Sequence, residues 1–87
     1  MARLEMPEGA ASGQAPVTAD TMFELGMMYA SGREVPIDLI VAHKWFNIAA
    51  IKGSPRAAEL RAELAAQMSK PDIVKALRDA REWMTMH

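Results

Sequence analysis

Eighty-seven residues limit the chain to one small domain, and a domain of that size buries only about 60% of the surface its unfolded chain exposes. Hydrophobic residues make up 51% and charged residues 24%, the balance of an ordinary soluble globular protein. The absence of cysteine excludes disulfides and thiolate metal sites, and ten basic residues scattered among eleven acidic ones form no stripe suited to nucleic acid.

No apolar run approaches the ~20 residues that cross a membrane. Arg3 is followed by no apolar stretch of the kind a secretory signal carries, so the expected location is cytoplasmic, without membrane insertion. Residues 1–17 read as a flexible tail: Pro7-Glu8-Gly9-Ala10-Ala11-Ser12-Gly13-Gln14-Ala15-Pro16 is rich in Pro, Gly and small residues and has no period. A docking peptide is the alternative there, without an anchor pattern to support it.

Four helices follow over 18–87. Thr18 is a good N-cap for the first, which runs to about Ser31 and stops at Gly32. After the turn Arg33-Glu34-Val35-Pro36, the second starts near Ile37 or Asp38 and ends at Lys52, before Gly53. Ser54-Pro55 opens a third to about Met68, and Ser69-Lys70-Pro71-Asp72 opens a fourth to about Met84. In the second, Ala42, Trp45, Phe46 and Ala49 share a side flanked by Leu39 and Ile48, leaving His43, Lys44 and Asn47 on the polar side. In the fourth, Ile73, Ala76, Leu77, Ala80 and Met84 follow one face beside Trp83, with Lys75–Asp79 and Arg78–Glu82 spaced for ion pairs on the other. Short connections make successive helices antiparallel neighbours, so the expected fold is all-α, two αα-hairpins over 18–53 and 54–87.

Gly26 lies between Leu25 and Tyr29 in the middle of the first helix, where glycine costs about 1 kcal/mol relative to alanine. A helix approaching closely at that point accounts for it, with Ala42 and Ala49 as small counterparts and Trp45 and Phe46 filling the flanks. The ordered set Leu25-Gly26-x-x-Tyr29, Gly32, Val35-Pro36-x-Asp38, Ala42-x-x-Trp45-Phe46-x-x-Ala49-Ala50-x-x-Gly53 resembles the Sel-one-like repeat family, related to tetratricopeptide repeats, over Thr21 to Gly53. The resemblance implies stacked helical hairpins of the α-α superhelix type, acting as scaffolds or adaptors. Leu64-Ala65-x-x-Met68 and Ala80-x-x-Trp83 follow at offsets of 64 − 25 = 39 and 80 − 42 = 38, as a degenerate C-terminal capping repeat would.

Phe23, Met27 and Ala30 form a second apolar stripe on the first helix, which a preceding repeat would cover. They are the candidate protein-binding residues. The expected function is a non-catalytic adaptor that binds a partner peptide or helix. A weak homodimer built on the same stripe is the alternative, and a ligand-binding bundle walled by Trp45 and Trp83 a weaker one. Ser31, Ser54 and Ser69 sit where capping explains them, and Glu59 and Glu63 read as a solvated face near Arg56 and Arg61. Eight methionines, mostly at core positions, and two distant histidines suggest neither a metal site nor a cofactor, and His43 reads as solvated.

Overall fold

Each helix in the computed structural model, which describes residues 18–87, begins at a side-chain oxygen that accepts a backbone N–H three residues on. Thr18 caps α1 (Ala19–Ser31) by accepting from Thr21 at 3.2 Å, and Asp38 caps α2 (Leu39–Ile51) by accepting from Val41 at 3.1 Å. Ser54 caps α3 (Pro55–Ala65) through Ala57 N–H at 3.1 Å, and Ser69 caps α4 (Lys70–Met86) through Asp72 N–H at 3.2 Å. Each bond satisfies one of the amides that a helix start leaves without a partner. Pro55 and Pro71 occupy the first turns of their helices, where a missing N–H costs nothing.

Among the described residues the fold is all-helical, with these four helices and no strand. The tail expected over residues 1–17 lies outside the described residues. α1 ends in a left-handed turn at Gly32, φ 78°, with the Arg33 N–H returning to the Met28 carbonyl at 3.1 Å. Asp38 then donates its N–H to the Tyr29 carbonyl at 3.0 Å, which fastens the start of α2 to the end of α1. α2 closes in the same manner: Ser54 N–H reaches the Ala49 carbonyl at 3.0 Å, around Gly53.

α2 is the centre of the structure. It packs against α1, α3 and α4, whereas α3 and α4 approach each other far less than either approaches α2. The close contact expected between the two helices of a second hairpin is therefore replaced by two separate contacts with α2. Small residues permit this crowding: Ala42 and Ala49 on α2, Ala57 on α3, and Ala76 and Ala80 on α4 are completely buried. Phe46 and Ile48 are the largest fully buried side chains, and Met22 and Leu64 complete the core.

That arrangement corrects several expectations. His43 and Asn47 are buried, at 2% and 8% exposure, because α2 is surrounded and has little solvent side left. Leu77 is exposed together with Val74 on α4, while Ala76 and Ala80 of the same helix face the core. Of the two rings expected to fill the flanks, Phe46 is fully buried and Trp45 only half-buried. α3 gives way to a turn after Ala65, earlier than Met68, and α4 continues past Met84 to Met86. Lys75 and Asp79 pair at 3.0 Å, but Arg78 and Glu82 do not pair with each other.

Candidate protein-interaction site

The mid-helix glycine of α1 lies under an aromatic ring. A Cβ on Gly26 would stand 2.5 Å from two carbons of the Phe46 ring, well inside van der Waals contact. The close approach expected at Gly26 is present, and the atoms nearest to it belong to the Phe46 ring. Phe23, one turn before Gly26 on α1, also packs against Phe46, its ring centre 5.8 Å away at a tilt of 50°. Phe23, Met27 and Ala30 are half-buried against the core, so the stripe is partly covered within the chain.

What remains of the stripe opens onto α3. Met27, Ala30 and Ser31 of α1 face Leu60, Glu63 and Leu64 of α3, and Gln67 of the turn after it, across a pocket of about 200 Å³, floored by Phe46. Leu60, Glu63 and Leu64 fall at spacings of three and four, which places them on one side of α3. Leu64 and the half-buried Leu60 anchor that side to the core, and Glu63 and Gln67 stand at the polar edge. Ser31 is already engaged, donating its hydroxyl to the Met27 carbonyl at 2.8 Å. Of the three candidate binding residues, the structure brings Met27 and Ala30 to this pocket and sets Phe23 behind it against Phe46. The α3 wall was missed because Glu63 read as solvated face. The spacing of residues 60, 63 and 64 was its one signal in the sequence.

α3 is fastened to α2 by a polar contact as well as an apolar one. Arg61 Nη1 donates to Asn47 Oδ1 at 2.6 Å. One turn earlier on α2, His43 is enclosed and its Nδ1 has no hydrogen-bond partner. Burial, and then the charge of Arg61, lower the pKa of His43 below its ordinary 6.5. A cation there would lose its hydration and meet a second cation.

On the α4 side, Trp45 meets Trp83 edge to face at 5.4 Å, and Trp83 stacks on His87 at 4.3 Å. Lys44 Nζ lies 4.4 Å from the centre of the Trp45 ring. The two indoles expected as pocket walls are thus in direct contact with each other. His87 also caps α4: its Nδ1 is 2.9 Å from the Trp83 carbonyl. Among the described residues no group of three or more His, Asp or Glu side chains is placed to hold a metal ion, and no helix is long and apolar enough to cross a membrane.

Compared with protein-family models, with curated proteins and with solved structures, the chain finds no match in any of the three.

Proposed function

We propose that the protein is a non-catalytic interaction module of the Sel-one-like kind, and that the groove between α1 and α3 receives an apolar side chain from a partner protein. The open pocket on Phe46 carries this reading. At about 200 Å³ it is smaller than the roughly 300–1,000 Å³ usual for small-molecule sites, and its walls are mainly Met, Leu, Ala and Phe. A cleft of that size and chemistry suits one anchoring side chain of a peptide or helix, and Met27 supplies a wall that adapts to shape. The repeat assignment is supported by Gly26 beneath Phe46, by the Tyr29–Asp38 tie across the turn, and by the full burial of Ala42 and Ala49.

Self-association through Phe23, Met27 and Ala30 is the weaker reading, since Phe46 and α3 already cover part of that stripe. A photo-crosslinking side chain at Gln67 tests the proposal in cells that express the protein. The expected product is a discrete adduct that disappears when Ala30→Trp fills the pocket, with helical content unchanged. An adduct pattern indifferent to Ala30→Trp, or identical to that from Arg78 on α4, overturns the proposal.

A further inference from the structure

The pocket is apolar within and acidic at its α3 edge. Glu63 lines it and has no ion-pair or hydrogen-bond partner among the described residues. Glu59, one turn earlier on α3, is likewise exposed and unpaired among them. Arg61 of α3 turns to Asn47, Arg33 beyond the end of α1 pairs with Glu24 at 3.4 Å, and Arg56, two turns before Glu63 on α3, is exposed and forms no ion pair with it. The α1 wall offers Met27, Ala30 and a Ser31 whose hydroxyl is occupied, so among the described residues that line the pocket no cation faces Glu63.

We propose, resting on the docking reading above, that the occupant is a peptide segment in which a large apolar residue is flanked by lysine or arginine. The apolar side chain sits on Phe46 between Leu60 and Leu64, and the cation meets Glu63. An acidic neighbour in that position would face a like charge at the mouth of a partly desolvated cleft. Charge at such an edge selects between partners more than it adds affinity. Because the pair is exposed to water, its effect also weakens as salt rises.

Phage-displayed random dodecapeptides selected on the wild-type protein, and counter-screened on folded Ala30→Trp, test this directly. The expected result is enrichment of a large apolar residue next to Lys or Arg. The enriched peptide should bind Glu63→Lys about tenfold more weakly, and 0.5 M salt should weaken wild-type binding. Because Glu63 is exposed, its reversal leaves the fold in place, and unchanged helical content checks that. Enriched peptides that lack the cation, or that bind Glu63→Lys equally well, overturn the basic-partner proposal and leave the groove reading standing. No enrichment over Ala30→Trp overturns both.

Discussion

Phe46 makes Gly26 irreplaceable in a way that helix propensity alone would not suggest. Alanine is the better helix former by about 1 kcal/mol, yet its methyl carbon would have to occupy space 2.5 Å from a ring that is itself enclosed. Gly26→Ala should therefore lower stability by about 1–3 kcal/mol, read as a fall in the urea midpoint. A raised midpoint would show that the Phe46 ring moves aside freely. His43 makes the second prediction. Its folded pKa lies below the unfolded value of about 6.5, so the unfolded chain binds the proton more readily and stability falls with acidity. Its contribution should be intact above pH 6.5 and decline as pH drops from there toward the folded pKa. Urea midpoints at pH 7.5 and 5.5 measure the loss, and His43→Gln should reduce the difference between them. Gly26 was readable in the sequence because a glycine amid helix formers demands a reason. His43 was not, because its two sequence neighbours on the same side, Lys44 and Asn47, suggested water. What decides its burial is the presence of further helices on α2, which the local pattern does not encode.

Helix starts were the most readable features of the elements. Thr18, Ser54 and Ser69 each carry an oxygen of the right reach and each makes the expected bond, whereas Asp38, expected at the start of α2, is instead the cap of a helix that begins at Leu39. Helix ends were less so where no glycine stands: after Ala65 the chain turns, short of the expected end at Met68. The attachment of α3 to α2 through Arg61 and Asn47 went unread for the same reason as His43. Removing one partner of that contact should be worse than removing both. Arg61→Met leaves Asn47 Oδ1 short of its donor inside the structure, at a cost of about 1–3 kcal/mol. Asn47→Leu in the same chain should recover much of the loss, and thermal melts of the two single variants and the double variant give the comparison. Equal and additive losses would show that water replaces the guanidinium. The contact of α4 with α2 is aromatic instead. A double-mutant cycle on Trp45 and Trp83 should return a coupling of about 0.5–1.5 kcal/mol for the edge-to-face pair, and a coupling near zero would mean the rings are joined only through shared burial.

The molecule as a whole is one central helix with three attendants. α2 meets α1 through Phe46 and Gly26, α3 through Asn47 and Arg61, and α4 through Trp45 and Trp83. That the chain forms four helices could be read from spacing. That α3 and α4 each rest on α2 more than on each other could not, because short connections between helices favour adjacency without saying which faces meet. The arrangement has a consequence for how the fold comes apart. Two helices fastened to a common spine, and barely to each other, need not detach together. Native-state amide exchange should give α3 and α4 separate opening free energies, with the interior of α2 the best protected. Arg61→Met should then speed exchange in α3 and leave α4 unchanged, whereas a single shared opening energy would mean the domain unfolds as one unit. Since α3 forms one wall of the groove and α4 none, the cleft would widen or collapse on a clock of its own. A partner that clamps α3 would register as slowed exchange along that helix alone, with the tryptophan side of the molecule unaware of it.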